Sequence, residues 1–479
     1  MYACYIVCIL IPSKKTPRNS SPQPTAPPTS LPPAELLRWF VQLLPGRALR
    51  KLPALQSKSF YDRLFNPLVT LWYLLFQRLH SDHSLEAALA DARCGGADRL
   101  NKKLSGNLLS ESTCSYSDAR QRLPWEFLLQ ALSLQGRNIT NLSPTTLWHG
   151  LVIALLDGST VRLRPYGRMA KEFPPNINQH RGPYWCLMRV VVGFCALSGA
   201  ALDCALGSIF LSEQALACQI ILAATAKSLF IGDRNFGVFR IAQAARQASQ
   251  AVLVRMTEVR ARKVLGRRLS FGQHEVLWKP TRHDQLQQGG SPEPIAGRLL
   301  VVKLQRKGFR SLQLYLFTTL PDTADYSLEE LIRLYGLRWH VELNLRYLKA
   351  QMDLVQLEAK SAEMARKEWL AGLLAYNLIR AAQLCAAVQK GISPLSLSFS
   401  SVRRRLEEWL RQFGRRSKRQ LGIQWAKLLD QISRCRLPHR RKARPNEPRA
   451  QRHLRLPYLP LYGSRAKARQ HLEKYRSKS

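Results

Sequence analysis

The sequence predicts a mixed α/β fold, in which a central sheet carries helices on its faces between a helical region and a basic, helical one. Two observations support this class. Between Leu151 and Met256, short apolar runs and amphipathic stretches follow the order strand, hairpin, helix, strand, helix, strand. On both sides of that segment, apolar residues recur at helical spacing. With 479 residues, 46% of them hydrophobic, the chain can form roughly two to four domains with real cores.

The first 150 residues divide into a leader and a helical region. Residues 1–33 are rich in Pro, Ser and Thr, which cannot bury enough surface to fold, so we expect a disordered leader. The helices predicted within residues 34–150 are Glu35–Leu44, Ser59–His80 and Ser84–Arg93. Arg120 and Arg122 suit a helical DNA-binding domain, and an ordinary helical domain with solvated arginines fits the sequence equally well.

The predicted sheet begins at Leu151, and the first part of this core extends over residues 151–257. A continuous apolar run from Leu151 to Leu156 predicts a central strand that ends at Asp157, and Ser228–Ile231 predicts a second strand before Asp233. The other predicted elements are a hairpin of Cys186–Cys195 and Ala201–Leu206, helices at Glu213–Ala226 and Val238–Gln247, and a strand at Ala251–Met256.

The rest of the chain divides into three parts. Residues 258–320 predict a β-rich insertion, with strands at Glu275–Trp278, Arg298–Gln305 and Ser311–Thr318. Residues 321–390 form the second part of the core and include one helix from Ser327 to Gln351, in which Ser327 and Glu330 have capping-box spacing. Residues 391–479 form a basic C-terminal region, and we expect its tail from Arg403 onward to give mostly sequence-independent affinity for nucleic acid.

Composition favours a nucleic-acid partner. Lys and Arg number 73 against 32 Asp and Glu, a formal charge of +41, which makes a polyanion the expected partner without specifying a reaction. The ten cysteines show no metal-binding spacing, as in a cytosolic protein with reduced thiols. The apolar run from Cys4 to Ile11 is too short to span a bilayer, so we expect neither export nor a membrane span.

Two carboxylates follow predicted strands. The carboxyl ends of strands in an open α/β sheet meet at one edge, where ligands bind, so Asp157 and Asp233 can converge there. An aspartate after a strand is also a common turn residue, and Asp157-Gly158 is a frequent turn dipeptide.

A third carboxylate, Glu342, lies in the predicted Ser327–Gln351 helix. With Tyr335 at zero, Arg338, Glu342 and Lys349 fall at roughly 300°, 340° and 320° around a regular helix. The four polar groups would share one face and suit a divalent metal beside phosphate oxygens, although a solvated face with intrahelical ion pairs is the commoner meaning of such a pattern.

Three carboxylates without His or Cys partners favour a hard cation, Mg²⁺ or Mn²⁺. Two such ions can activate a water or a DNA 3′-hydroxyl and stabilise the leaving oxygen of an in-line phosphoryl displacement. This chemistry indicates a nuclease or a strand transferase.

The motifs around these residues resemble those of DDE transposases of the insertion-sequence-4 family. They are Asp157-Gly-Ser-Thr-Val-Arg-Leu, Gly232-Asp-Arg-Asn-Phe-Gly, and the spacing of Tyr335, Arg338, Glu342 and Lys349, which is similar to the family's Y-R-E-K signature. The resemblance implies an RNase H-like catalytic core interrupted by a β-strand insertion before the glutamate. It also implies Mg²⁺-dependent cut-and-paste movement of DNA by a homodimer that holds two element ends.

The resemblance assigns roles to individual residues. Asp157, Asp233 and Glu342 would be catalytic and bind the metals, and Tyr335, Arg338 and Lys349 would hold DNA phosphates. Arg234 could contact DNA or be an ordinary solvated arginine. Trp278 could stack on DNA as the aromatic of the insertion, although its strand-like neighbours favour a buried core tryptophan.

The predicted function is therefore that of a transposase which binds the terminal inverted repeats of its element, nicks them, and joins the 3′-hydroxyls to a target. The alternatives are a catalytically inactive DNA-binding derivative and an RNase H-like, structure-specific nuclease. We expect a cytoplasmic, nucleoid-associated bacterial protein.

Overall fold

The computed structural model describes residues 32–57, 64–101, 104, 111–143, 146–175, 185–266, 268–288, 292–304, 312–413 and 415–438, with residues 464, 466 and 470. The predicted leader, up to residue 31, and nearly all of the tail beyond residue 438 lie outside the described residues.

Helices occupy the N-terminal and C-terminal parts of the chain and also connect the strands between them. The helices are α1 (Pro33–Val41), α2 (Gly46–Arg50), α3 (Pro53–Gln56), α4 (Pro67–Leu79), α5 (Leu85–Arg93), α6 (Cys114–Arg122), α7 (Trp125–Thr140), α8 (Met169–Glu172), α9 (Glu213–Ala223), α10 (Phe239–Gln247), α11 (Glu258–Leu265), α12 (Arg282–Gln288), α13 (Leu328–Gly336), α14 (Trp339–Arg346), α15 (Ala362–Lys390), α16 (Phe399–Arg411) and α17 (Lys418–Ser433). A π-helical turn, Tyr347–Gln351, directly follows α14.

The described strands form one sheet. They are β1 (Leu147–Trp148), β2 (Leu151–Leu163), β3 (Cys186–Cys195), β4 (Ala201–Ser208), β5 (Ser228–Gly232), β6 (Ala251–Arg255), β7 (Gly272–Trp278), β8 (Ile295–Leu304), β9 (Leu312–Thr318) and β10 (Gln356–Leu357). Their order is β4-β3-β2-β5-β6-β9-β8-β7, and β1 and β10 both pair with β2. The pairings β2–β5 and β5–β6 are parallel. This architecture confirms the predicted mixed α/β fold.

The strands of the predicted insertion are present, and they extend the central sheet. Strand β9 pairs antiparallel with β6, with Val254 opposite Phe317, and β8 and β7 follow it. The insertion also contains α11 and α12, which the sequence patterns did not predict.

The strand that begins at Leu151 is longer than the sequence predicts. Its predicted end is Asp157, whereas the observed strand β2 continues to Leu163. The reason is its long partner β3, which pairs with β2 from Ala154 to Leu163 and supplies ladder hydrogen bonds beyond the aspartate.

The sheet has a separate apolar core on each face, because alternate residues of a strand point to opposite sides. Leu155 and Ile231 belong to the larger core, which includes α13 and α15, whereas Leu156 and Phe230 belong to the smaller core beneath α9 and α10. The two cores therefore place the α13–α14 segment and α9 on opposite faces of β2.

The long helix α15 is the centre of the helical layer. It packs against α4, α7, α16 and α17. Its length and composition would also suit a membrane span, but 94% of its most apolar stretch is buried inside the protein. This burial is that of a core helix.

The helical region before the sheet is tied to α15 by charged side chains. The Glu368 carboxylate lies 3.3 Å from the Arg120 guanidinium and 3.4 Å from that of Arg78. Arg120 is therefore largely buried in an ion-pair network and is not a solvated DNA contact. Lys367 of α15 makes a second connection to this region, since its ammonium donates to two backbone carbonyl oxygens of α6.

Candidate functional site

Asp157 and Asp233 occupy corresponding positions on neighbouring parallel strands. Leu155 of β2 is paired with Ile231 of β5, and each aspartate lies two residues farther along its own chain. Parallel strands are about 4.8 Å apart, and residues two apart point to the same face. The sheet therefore brings together the two aspartates, here called the carboxylate pair, on the face covered by α13.

The carboxylate pair is electrostatically strained. Burial raises the pKa of Asp157 to about 6. The Gly158 N–H, which donates to the Asp157 carboxylate at 2.9 Å, acts against this increase, whereas the charges of Asp233 and Glu213 add to it. A buried carboxylate beside two others favours a positive partner at this position.

The predicted helix that carries Glu342 is interrupted. Helix α13 ends at Gly336, and α14 begins at Trp339. Between them the backbone tightens, with the Arg338 N–H bonded to the Tyr335 carbonyl at 3.1 Å and the Val341 N–H to the Arg338 carbonyl at 3.0 Å. The Ser327 cap itself is confirmed, since its hydroxyl accepts the Glu330 N–H at 3.3 Å.

This interruption keeps three of the four predicted polar groups together. The Arg338 guanidinium lies 3.2 Å from the Glu342 carboxylate and beside the buried Tyr335 hydroxyl. Burial raises the pKa of Tyr335 to about 12, which keeps the phenol protonated. The positive charge of Arg338 also lowers the pKa of Asp157, so the guanidinium acts on the carboxylate pair as well as on Glu342.

Lys349 lies outside the regular α-helical part of this segment. It belongs to the π-helical turn, where the Met352 N–H bonds to the Tyr347 carbonyl at 3.0 Å instead of continuing the α-helical pattern. None of the hydrogen bonds or ion pairs among the described residues joins Lys349 to Tyr335, Arg338 or Glu342. The segment is therefore not the single regular helix from which the shared face was predicted, since the helix changes pitch on both sides of α14. That all four groups share one face stays a prediction.

Arg255 is a site residue that sequence reasoning missed. It ends β6, and since Gly232 of β5 pairs with Val254, Arg255 lies beside Asp233 in the next strand. Burial lowers the pKa of Arg255, and Tyr335 and Asp233 act against that decrease. Its Nε is buried without a hydrogen-bond partner among the described residues. The argument that brought the two aspartates together, that the carboxyl ends of parallel strands meet at one edge of the sheet, also applies to this arginine.

Asn235 and Glu213 were also missed, and here no sequence signal was available. Asn235 follows Asp233 by two residues, and its side chain donates to Glu213 of α9 at 2.6 Å. This contact joins residues that are 22 positions apart in the chain.

The two remaining predicted DNA contacts have different environments. Arg234 is exposed beside Asp233, where it can reach a ligand. Trp278 is only 4% exposed and packs edge-on against Phe239 and Phe317 in the smaller core. The DNA-stacking role considered for Trp278 is therefore wrong, and the alternative of a buried core tryptophan is confirmed.

The carboxylate pair suits a divalent cation, since two oxygen ligands lie together with no cation bridging them within the described hydrogen bonds. Within the described ranges, however, no three His, Cys, Asp or Glu side chains converge closely enough to hold a metal ion. Glu342, the third carboxylate that the motifs select, is instead paired with Arg338.

The two sequence comparisons with known proteins agree with the motifs. The pattern of the transposase DDE domain family matches residues 148–378. The chain is 26% identical over 377 residues to the transposase InsG for insertion sequence element IS4 of Escherichia coli (strain K12), which covers 72% of this chain and 84% of the relative. A cryo-EM structure of the piggyBac transposase synaptic complex with hairpin DNA aligns at a TM-score of 0.38 and 10% identity, covering 86% of this chain and 87% of that one.

The matched segment contains Asp157, Asp233 and Glu342 together with the sheet that positions the first two. The sequence relative extends the similarity over most of the chain. Together, the domain match and the similarity over most of the chain support a DDE transposase of the insertion-sequence-4 type.

Proposed function

We propose that this transposase binds the terminal inverted repeats of its insertion sequence and moves the element by cut-and-paste transposition. In this proposal, an RNase H-like core nicks each end by hydrolysis, and the resulting 3′-hydroxyl then attacks target DNA. The observation that carries the proposal is the carboxylate pair, Asp157 and Asp233, at corresponding positions of β2 and β5 with Arg255 and Arg338 beside it.

The two guanidiniums suit a phosphodiester. Arg255 has an Nε without a partner among the described residues, and Arg338 combines with the Tyr335 hydroxyl at the same edge of the sheet. Guanidinium groups bind phosphate through charge-assisted, directional hydrogen bonds. These residues would hold the DNA backbone beside the carboxylate pair, with the exposed Arg234 as a further contact.

DDE transposases typically use divalent metal ions, and we propose two ions of Mg²⁺ or Mn²⁺, held by Asp157, Asp233 and Glu342. When bound, such ions activate the attacking hydroxyl and stabilise the leaving oxygen. The chain's own contribution is to hold two acidic side chains at fixed spacing on the sheet and to present Glu342 from α14, where Arg338 neutralises it. Lys349 would bind DNA phosphate from the neighbouring turn.

The proposed partner is double-stranded DNA, both element end and target, and the proposed assembly is a homodimer that holds two ends. The charge of +41 supports a polyanionic partner and predicts salt-sensitive binding. A cytoplasmic, nucleoid-associated location follows from this partner and is part of the proposal, which includes no membrane.

One observation favours a second candidate, a catalytically inactive DNA-binding derivative. Glu342 is paired with Arg338 rather than joined to the carboxylate pair. If this ion pair persisted on DNA, the protein would bind its ends without cutting them.

The decisive experiment uses purified protein, Mg²⁺ and labelled DNA carrying the inverted repeats that flank the gene. We expect a nick at the element boundary, and we expect it to be lost in Asp157→Asn, Asp233→Asn and Glu342→Gln. Asp325→Asn, which changes an exposed aspartate before α13, is the matched control and should retain cleavage.

Binding without cleavage by the unmodified protein would select the inactive derivative. Cutting of branched DNA irrespective of end sequence would select a structure-specific nuclease. Full activity in all three carboxylate variants would reject the proposed site.

A further inference from the structure

Glu213 lies at the start of α9, next to the carboxylate pair but on the other face of β2. The Ser212 hydroxyl caps this helix by accepting the Ala215 N–H at 3.1 Å. A carboxylate in the first helical turn is stabilised by the unpaired N–H groups there. The Glu213 side chain is half-buried.

The Glu213 carboxylate is connected to Asp233 through Asn235. The Asn235 side-chain amide donates to Glu213 Oε2 at 2.6 Å, and the Asn235 backbone N–H donates to Asp233 Oδ1 at 2.8 Å. The adjacent Gln214 amide donates to the Asn235 carbonyl at 2.9 Å. The loop after β5 is thus fastened to the first turn of α9, and one of these bonds ends on the carboxylate of Asp233.

The same side chain also packs against the backbone next to Asp157. A Cβ at Gly158 would lie 2.3 Å from the Glu213 Cδ, much closer than such atoms approach in proteins. Glycine at position 158 therefore leaves the space that Glu213 occupies. One side chain touches the residue after Asp157 and, through Asn235, holds the loop after Asp233.

We propose that Glu213 is a positioning residue of this transposase: through Asn235 it orients the Asp233 carboxylate, and by packing against Gly158 it sets the spacing of Asp233 from Asp157. This inference rests on the proposed function. A displacement of about 1 Å in a reacting group can lower a rate by about 100-fold, so a side chain that touches no DNA can still control cleavage.

The proposal depends on the hydrogen bond between Glu213 and Asn235. Glu213→Gln removes the negative charge of the side chain but keeps an acceptor for this bond, so it distinguishes the effect of the bond from that of the charge. The glutamine carbonyl oxygen can still accept from the Asn235 amide, whereas Glu213→Ala has no acceptor. Asn235→Ala removes the same bond from its other side at an exposed residue, so this variant tests the contact even if Glu213→Ala fails to fold.

The first measurement is the rate of single-turnover nicking at saturating DNA, together with DNA affinity. We expect Glu213→Ala and Asn235→Ala to nick about 10- to 100-fold more slowly, with affinity for the end DNA within about twofold of the unmodified protein. Glu213→Gln should stay within about threefold of the normal rate, and the double variant Glu213→Ala/Asn235→Ala should be no slower than the slower single variant, because both remove one bond.

The second measurement does not depend on activity. Mn²⁺ titration of the DNA-free protein, followed by electron paramagnetic resonance, should show weaker binding for Glu213→Ala and near-normal binding for Glu213→Gln. Thermal unfolding tests the packing contact: Gly158→Ala would meet the flexible end of the Glu213 side chain, so any loss of melting temperature should come from displacing that side chain and should be absent when Glu213→Ala is added.

Normal nicking and normal Mn²⁺ affinity in Glu213→Ala would overturn the inference, as would independent, multiplicative losses in the double variant. If the unmodified protein does not nick its ends at all, the proposed function fails. The Mn²⁺ titration and the Gly158→Ala comparison then still decide whether Glu213 organises the carboxylate pair.

Discussion

The Arg338 guanidinium lies 3.2 Å from the Glu342 carboxylate, and its charge also acts on Asp157 across the face of the sheet. One cation thus stands between two of the three carboxylates that the motifs select. Its side chain is 15% exposed, against 44% for that of Glu342, so this ion pair is only partly shielded from water. Such a pair contributes little to folding stability, and we expect Arg338 to act mainly in binding DNA.

Arg338→Ala should therefore weaken DNA positioning more than metal binding. We expect about a tenfold loss of affinity for end DNA, as for the loss of one charge-assisted hydrogen bond, with a smaller change in the Mg²⁺ requirement. Fluorescence anisotropy of labelled ends and a Mg²⁺ titration of nicking measure the two effects separately. Arg333→Ala, on the exposed side of α13, is the matched control. A shifted Mg²⁺ requirement with normal DNA affinity would contradict this assignment.

Trp278→Ala should destabilise the fold, because the side chain is buried between Phe239 and Phe317. We expect the free energy of unfolding to fall by about 3–5 kcal/mol, as for other buried aromatic truncations. Denaturant unfolding measures this change. The control is Phe271→Ala in the same insertion, which removes an aromatic that is 60% exposed and should change stability by about 0.5 kcal/mol or less. Equal effects in the two variants would argue against a core role for Trp278.

Asp203 should make stability depend on pH in the opposite sense to a salt-bridged carboxylate. Burial raises the pKa of Asp203 to about 6 from its ordinary 3.8, although the Cys204 N–H bond acts against this increase. The folded state then holds the proton more tightly than the unfolded chain, so the stability contributed by this group falls as pH rises from about 4 to about 6.

Asp203→Asn removes this ionisation. We expect the variant to melt at a higher temperature than the unmodified protein at pH 7–8, with the difference shrinking as the pH falls through about 6 towards about 4. Thermal unfolding across this range in EDTA checks the sign. A variant whose advantage grew as the pH fell would show that Asp203 is instead stabilised as a carboxylate.

Residues 439–479 should supply sequence-independent DNA affinity. This segment contains 13 lysines and arginines against two glutamates. Deleting it should lower affinity for unrelated DNA and make the dependence of affinity on salt shallower, because fewer counterions are released. A variant with the segment scrambled at constant composition is the control and should keep the normal slope. An unchanged slope after deletion would exclude this role.

The deletion should begin after residue 438, because the earlier part of the basic region contributes side chains to the hydrophobic core. Helices α16 and α17 pack Leu406, Trp409 and Trp425 into the larger core. A deletion starting at residue 403 would remove these side chains and unfold the helical layer. The basic composition of the region did not reveal this, since its charged residues lie on the outer faces of amphipathic helices.

Local patterns predicted most of the elements well. The hairpin of β3 and β4, the strand of β5 and the helix of α10 lie within a few residues of their predicted bounds. These elements are specified by short-range periodicity and by turns such as the one at Gly199, which adopts φ +74°. The break between α13 and α14 was not predicted, since Gly336 was the main sign of it in the sequence.

By itself, the sequence determined the fold class, most of the strands and helices, and the identity of Asp157, Asp233 and Glu342 as candidate residues, because each depends on residues close together in the chain. Only the tertiary structure decided that Asp157 and Asp233 share a register, that Arg255 and Glu213 flank them, and that Trp278 is buried. The reason is physical. Strand register and the packing of helices on a sheet are set by contacts between residues distant in sequence, which local periodicity does not encode.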